Sequence, residues 1–209
     1  MSEKDCGSHG KKRRLIYKRI CAGILIFIFL VLLTILIVWA VLQPKKPRFI
    51  IQDATVYAFN VSTPNFITSN IQITISSRNP NDEIGIYYDW MDIYASYRNQ
   101  QISLRTAIPP TYEGHKETNV WSPFVYGTAV PVAPYNFVAL NQDESTGSVT
   151  LVIKIDGRIR FKVGSFTTGK YRLHVKCPAF IPLGSRSSGV VVSENAVKYQ
   201  LVTSCRVSV

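Results

Sequence analysis

Histidine and cysteine are scarce in this chain, with three histidines and four cysteines among 209 residues. His9 precedes a long apolar run, His115 lies in a polar turn pattern, and His174 alternates with basic residues on the polar side of a predicted strand. Neither His115 nor His174 has a metal-ligand or triad partner nearby in sequence. We therefore expect no metal site, no histidine-based nucleophilic catalysis and no cofactor.

Motifs that hold phosphate or activate a nucleophile are also missing. Residues 164–170 have the G-x-x-x-x-G-K spacing, but Tyr171 stands where a Ser or Thr would hold magnesium, and an alternating strand pattern follows. Residues 184–189 lack the G-x-S-x-G spacing of a nucleophile elbow. The densest acidic set fits no calcium loop; it comprises Asp82, Glu83, Asp89 and Asp92. These absences predict a protein that is not an enzyme.

Charge is absent from one long stretch, Ile20 to Leu42, in which 17 of 23 residues are Ile, Leu, Val or Phe. As a helix this stretch would reach ~34 Å, enough to cross a hydrocarbon core ~30 Å thick. Six basic residues precede it closely and three follow it, which favours a cytosolic N-terminus by the positive-inside rule. A cleaved signal peptide is the alternative, although its apolar region is usually only ~7–15 residues long. Either interpretation places residues 43–209 outside the cytosol.

The pattern divides the chain into a disordered basic cytosolic tail (1–19), a transmembrane helix (20–42), a Pro-rich stalk (43–48) and an extracytoplasmic domain (49–209). The tail has seven Lys/Arg and two acids, a net charge of +5, whereas residues 43–209 have 17 and 11, a net charge of +6. The tail either binds anionic lipid headgroups or serves only as a topology signal. Cys6 and Cys21 are acylation candidates, with unmodified thiols as the alternative. Nucleic acid is not an expected partner, because no aromatic–basic signature supports it.

The two remaining cysteines, Cys177 and Cys205, both lie in the extracytoplasmic part. Oxidising conditions there favour a disulfide between them over free thiols, and closing this loop would add ~3–4 kcal/mol of stability. Asn60 begins the N-x-S/T sequence Asn60-Val61-Ser62, so it is an N-glycosylation candidate.

A period of two predicts strands through the extracytoplasmic domain. Apolar and polar residues alternate over 71–76 and 171–177. Further strands are predicted at Phe49–Tyr57, Tyr87–Tyr97, Gln101–Arg105, Val120–Val130 and Gln200–Val207. No run beyond residue 47 is predicted to be helical. About eight short antiparallel strands, each with one apolar face, predict an all-β fold in the form of a single two-sheet β-sandwich.

Residues 149–163 are predicted to form a hairpin around Asp156-Gly157. A two-residue turn there would mix charged and apolar groups on both faces, whereas a three-residue loop at 155–157 gives one wholly apolar face. The expected loop is therefore a type I turn with Gly157 left-handed in a G1 bulge. The other face then carries Arg158, Arg160 and Lys162, which are candidates for contact with an anionic surface.

The segment Asn79-Pro80-Asn81-Asp82-Glu83-Ile84-Gly85-Ile86-Tyr87-Tyr88-Asp89 can be interpreted as a folding device. Its first four residues are typical of a turn, and Gly85 is expected to supply a bulge or a positive φ. The segment also resembles the signature of the plant NDR/HIN-like (harpin-induced-like) membrane proteins, which have a group 2 late-embryogenesis-abundant (LEA-2) domain. The resembling positions are Asn79, Pro80, Asn81, Ile84, Gly85, Tyr87, Tyr88 and Asp89. Pro-Arg-Phe at 47–49 and Val-Trp-Ser-Pro at 120–123 fit the same family.

The resemblance implies a fibronectin III-like sandwich at the plasma membrane or plasmodesmata, with a part in plant defence. Expected partners are the lipid bilayer and either a cell-wall polyanion such as pectate, for which the basic face is suited, or other membrane defence proteins. The alternatives are a protein that protects against water stress and a sandwich that binds a lipid or another apolar ligand. The Asn-Gly-Asp adhesion tripeptide of some relatives is missing, since Ile155 precedes Asp156-Gly157.

Overall fold

A computed structural model describes residues 6–41, 44–183, 189–193 and 196–209, without the side chains of residues 6–16 and 38–41. The chain forms two compact units, residues 1–43 and 44–209. Helix α1, Cys6–Val41, belongs to the first unit, and Tyr17–Ile37 within it is long and apolar enough to cross a membrane. Its described apolar side chains are exposed, and Thr34 donates to the Val31 carbonyl oxygen at 2.8 Å, which satisfies its hydroxyl within the helix.

The prediction of a disordered tail is wrong for residues 6–19, which continue α1 towards the N-terminus. Extending an existing helix adds one hydrogen bond per residue without a new nucleation cost, and Lys, Arg and Leu are good helix formers. The basic residues at 11–14 and 18–19 therefore prolong the helix despite Gly7 and Gly10.

The second unit is a sandwich of two antiparallel sheets, as predicted. The smaller sheet contains β1 (Arg48–Ser62), β2 (Phe66–Arg78), β7 (Thr118–Trp121), β8 (Phe124–Pro131), β12 (Val190–Ser193) and β13 (Ala196–Ser204). The larger sheet contains β3 (Ile84–Tyr97), β4 (Gln100–Gln101), β5 (Thr106–Ile108), β6 (Thr111–Glu113), β9 (Ser148–Val163), β10 (Phe166–Thr167), β11 (Tyr171–Pro182) and β14 (Arg206–Ser208). The central strands are longer than the short strands that the sequence suggested.

The core lies between the two sheets and is filled by the inward residues of the long strands. Ile71, Ile73 and Ile75 of β2 face Ile153, Ile155 and other apolar residues of the larger sheet, and all of them are buried. The chain passes from the smaller to the larger sheet at Cys205, between β13 and β14. The predicted disulfide is confirmed, because Cys205 is bonded there to the buried Cys177 of β11.

The predicted hairpin at 149–163 is wrong, because β9 runs unbroken from Ser148 to Val163. Its inward side chains alternate without a register change, and Gly157 takes one of these inward places. A Cβ on Gly157 would lie 2.6 Å from the carbonyl oxygen of Trp90, where β3 bulges towards it. Gly157 thus permits a close backbone approach rather than a turn. The expected polar face is nevertheless present, with Arg158, Arg160 and Lys162 pointing outward.

The expectation of no helix beyond residue 47 is also wrong, since α2 spans Pro134–Thr146. Pro134 opens this helix, and Gly147 ends it in the left-handed conformation with φ 80°. Asn136, Ala139 and Leu140 are the buried residues of α2. The Pro-rich sequence that precedes α2 is a helix start rather than only a loop.

Candidate functional site

Asn79, the first residue of the signature segment, is fully buried, and its side chain makes four hydrogen bonds. Its side-chain nitrogen donates to the carbonyl oxygens of Ile84 at 2.7 Å and Gly114 at 2.9 Å. Its side-chain oxygen accepts from the backbone N–H of Asn81 at 3.0 Å and from the Asn81 side chain at 2.8 Å. One amide thus connects the turn at 79–84 with the loop after β6, which agrees with the interpretation as a folding device.

Asn81 carries this network to the start of the second unit. The backbone N–H of Lys45 donates to Asn81 Oδ1 at 2.7 Å, and Asn81 Nδ2 donates to the Lys45 carbonyl oxygen at 2.9 Å. The side-chain amide of Asn81 thus makes the same two kinds of hydrogen bond with the backbone of Lys45 that the backbone of a neighbouring strand would make. The stalk residues next to Lys45 therefore lie against the sandwich, and Pro47 is buried.

The signature residue Tyr88 belongs to a buried triangle of oxygen atoms. Tyr88 Oη lies 2.7 Å from Glu113 Oε2 and 2.7 Å from Ser77 Oγ, and Ser77 Oγ lies 3.1 Å from Glu113 Oε2. The Tyr88 and Ser77 hydroxyls can both donate to Glu113 Oε2. Burial raises the pKa of the Glu113 carboxyl and outweighs the hydrogen bonds from Tyr88 and Ser77, which lower it.

The buried triangle predicts that the free energy of unfolding depends on pH through the ionisation of Glu113. Because burial raises the folded-state pKa of Glu113 above the ordinary value of 4.5, its contribution to the free energy of unfolding is fully present below pH 4.5 and is lost as the pH rises through the folded-state pKa. The slope has a limit of about 1.4 kcal/mol per pH unit. We expect Glu113→Gln to remove this part of the decline, measured by urea unfolding at a series of pH values. Glu83→Gln, a change at an exposed carboxylate, should keep the wild-type slope; an unchanged slope in Glu113→Gln would refute the assignment.

The signature glycine, Gly85, does not have the positive φ that the sequence suggested, and the β3 bulge lies further along, between Tyr88 and Trp90. A Cβ on Gly85 would instead overlap the ring of Tyr112. That ring crosses Gly85 and stacks on Tyr87 with ring centroids 4.4 Å apart. Gly85 therefore makes room on the outer face of the larger sheet for a pair of tyrosine rings.

The last signature residue, Asp89, binds Arg160 of the neighbouring strand β9. Arg160 Nε donates to Asp89 Oδ1 at 2.9 Å and Oδ2 at 3.0 Å, and Arg160 Nη2 donates to Oδ1 at 2.5 Å. Hydrogen bonds to Asp89 raise the pKa of Arg160. Because its charge is already compensated, Arg160 is the least available of the three predicted anion-binding residues.

Arg158 and Lys162 have aromatic rather than acidic neighbours among the described residues. The guanidinium of Arg158 lies 5.9 Å from the ring centroid of Trp90. Lys162 Nζ lies 5.9 Å from the ring of Tyr87 and 5.5 Å from that of Tyr112. Cation–π contacts hold the two side chains in place and leave their charges uncompensated. We call Arg158, Lys162 and these three rings the basic–aromatic face. Sequence periodicity predicted the basic residues of this face but not its aromatic rings.

The other candidate residues lie apart from this face. Asn60 is exposed on β1. Cys21 is partly exposed in α1, whereas the side chain of Cys6 lies outside the described residues. The acids at 82–92 are not gathered into one site, since Asp82 pairs with Lys116 at 2.9 Å and Asp89 with Arg160. Within the described ranges, no three His, Cys, Asp or Glu side chains are grouped to hold a metal ion.

Sequence comparisons connect the signature segment with known proteins. A family model described as late embryogenesis abundant protein (LEA_2) matches residues 74–177, a range that includes the whole segment. NDR1/HIN1-like protein 1 of Arabidopsis thaliana is 62% identical over 208 residues, which cover 99% of this chain and 100% of the relative. NDR1/HIN1-like protein 12 of the same plant is 62% identical over 210 residues and is covered completely, as is this chain. A solution structure of a late embryogenesis abundant (LEA) protein is 16% identical, with 68% of this chain and 74% of that chain covered and a TM-score of 0.34.

Proposed function

This chain belongs to the NDR1/HIN1-like family of LEA_2 proteins, and on that premise we propose that it is a non-catalytic, single-pass plasma-membrane protein of plant defence. In this proposal α1 spans the bilayer with its N-terminus in the cytosol, and the sandwich contacts the cell wall. The observation that supports it best is the basic–aromatic face. Two fixed and uncompensated cations beside three aromatic rings are suited to an extended polyanion such as pectate.

The fold supports a binding role rather than a catalytic one. Two titratable groups whose pKa values are raised, Glu113 and Tyr88, are buried between the sheets and form part of the triangle described above. The cations of the basic–aromatic face are exposed or half-buried on the opposite side of the larger sheet. We therefore place the function on the sheet surface.

Polyanion binding can be tested with the full-length protein in nanodiscs of neutral lipid, by measuring the Kd for polygalacturonate at increasing salt. Wild type should bind more weakly as salt rises, because the interaction is between screened surface charges. Removing two charges with Arg158→Gln plus Lys162→Gln should weaken binding about 10- to 30-fold at low salt, at about 1 kcal/mol per charge.

The matched control is Arg48→Gln plus Arg78→Gln, which removes two exposed charges from the smaller sheet. It should leave binding within about twofold of wild type. Salt-insensitive or absent binding, or an equal loss in the control, would refute the polyanion proposal.

The defence role needs a measurement in living tissue. Proximity labelling from the sandwich should identify wall or membrane defence proteins, and the labelled set should change after pathogen challenge. A labelled set that changes only on drying would favour a protein of water stress instead, and would contradict the defence role.

A further inference from the structure

Three basic side chains form a row across the larger sheet, away from the basic–aromatic face. Lys154 of β9 lies directly opposite Lys176 of β11, and Lys176 lies directly opposite Arg206 of β14. Neighbouring strands are ~4.8 Å apart, so the three positions fall within ~10 Å. We call Lys154, Lys176 and Arg206 the cationic row.

Like charges directly opposite each other destabilise a sheet. Among the residues that the structure describes, no carboxylate lies within ion-pair distance of any member of the cationic row. Lys176 and Arg206 are exposed and Lys154 is half-buried. The arrangement is therefore unfavourable for the isolated protein and becomes favourable when an anion covers it.

The nearest acid, Asp156, is already occupied by other partners. Its Oδ2 accepts from Tyr94 at 3.0 Å and from Arg105 at 3.2 Å, and its Oδ1 lies 2.8 Å from His174 Nδ1. These contacts occupy both carboxylate oxygens of Asp156, which points outward from the same strand as Lys154. Asp92, Asp156 and His174 lie opposite one another on β3, β9 and β11. These three residues separate the cationic row from Arg158 and Lys162.

Two open cavities adjoin the cationic row. One has a volume of about 400 Å³ and is lined by all three cations together with Tyr94, His174, Ser208 and the carboxylate of Asp156, which Tyr94, Arg105 and His174 already contact. The other, of about 530 Å³, is lined by Lys176 and Arg206 with Pro178 and Cys205. Lys176 and Arg206 thus stand between two depressions, and an extended ligand can lie across them.

We propose that the cationic row binds a short acidic saccharide, with one carboxylate at each of the three strands. Basic residues on three neighbouring strands, ~4.8 Å apart, suit a ligand that carries one anionic group on each of several consecutive short units, as an acidic oligosaccharide does. Side chains on one side of an extended peptide recur only every ~6.8 Å. Tyr94, His174 and Ser208 add an aromatic ring and polar groups of the kind that sugars contact.

The proposal uses residues different from those of the polyanion proposal, so the two can fail separately. The probe is trigalacturonate, titrated calorimetrically into the full-length protein in nanodiscs of neutral lipid. We expect Lys154→Gln plus Lys176→Gln plus Arg206→Gln to weaken trigalacturonate binding at least tenfold. Arg158→Gln plus Lys162→Gln should leave it within about twofold, although the same pair should reduce polygalacturonate binding.

Stability measurements show whether the triple variant still folds. Its Tm should equal or exceed that of wild type without ligand, because three repelling charges are gone, and trigalacturonate should raise only the wild-type Tm. Equal trigalacturonate binding by wild type and triple variant would overturn the proposal. Inorganic phosphate that binds as tightly as trigalacturonate would also overturn it, and so would a row that binds vesicles of phosphatidylserine but not trigalacturonate.

Discussion

Replacing Asn79 with alanine should lower the free energy of unfolding of the sandwich by about 3–5 kcal/mol, one of the two largest effects we expect. The alanine removes two donors from the carbonyl oxygens of Ile84 and Gly114 and an acceptor from Asn81. These groups are buried, so water cannot replace the lost partner without opening the turn. Urea unfolding followed by the fluorescence of Trp90 and Trp121 measures the loss.

Asn119→Ala is the matched control for this prediction. Asn119 is half-buried and makes one long, solvent-exposed hydrogen bond, 3.3 Å from its side-chain nitrogen to the Tyr112 carbonyl oxygen. The control should cost less than about 1 kcal/mol. If Asn79→Ala also costs less than about 1 kcal/mol, the signature asparagine has a role other than holding the fold together.

Removing the disulfide is the second large effect. Cys177→Ser should lower the free energy of unfolding by about 3–4 kcal/mol, because the bond closes a loop between positions 28 residues apart. The same bond joins β11 to the point where the chain changes sheets, so its loss should also loosen β14. Urea unfolding of oxidised wild type and of the variant gives the difference.

A non-reducing gel provides the control for the disulfide. Oxidised wild type should migrate faster than its reduced form, and Cys177→Ser should show no such difference. Cys21→Ser, which changes a cysteine of α1, should migrate as wild type does. A redox-dependent shift that persists in Cys177→Ser would contradict the bridge.

The two-sheet architecture was predictable from the sequence because burial imposes a period of two on each strand. In β9 this period correctly placed Arg158, Arg160 and Lys162 on one face, even though Asp156-Gly157 suggested a turn. That error arose because the local Asp-Gly signal does not show the approaching backbone of Trp90, which requires a glycine inside the strand. A long-range contact therefore determined the conformation at Gly157.

The site contacts that sequence analysis missed join distant segments of the chain. Glu113 stands in a polar turn pattern, and only the pairing of β6 with β3 turns its carboxyl towards Tyr88. Asn81 meets Lys45 across 36 positions of the chain. The cationic row requires the register of three strands, whereas the sequence shows only basic residues at separate places. Residue type and alternation were readable, but register and partners were not.

In the proposed topology, α1 crosses the plasma membrane and leaves the sandwich outside. Protease added to intact protoplasts tests it most directly, using the full-length protein with different epitopes at its two ends. We expect the C-terminal epitope to be removed while an N-terminal fragment that contains α1 remains protected until the cells are lysed. A C-terminal epitope that survives on intact protoplasts and is lost only after lysis would contradict it.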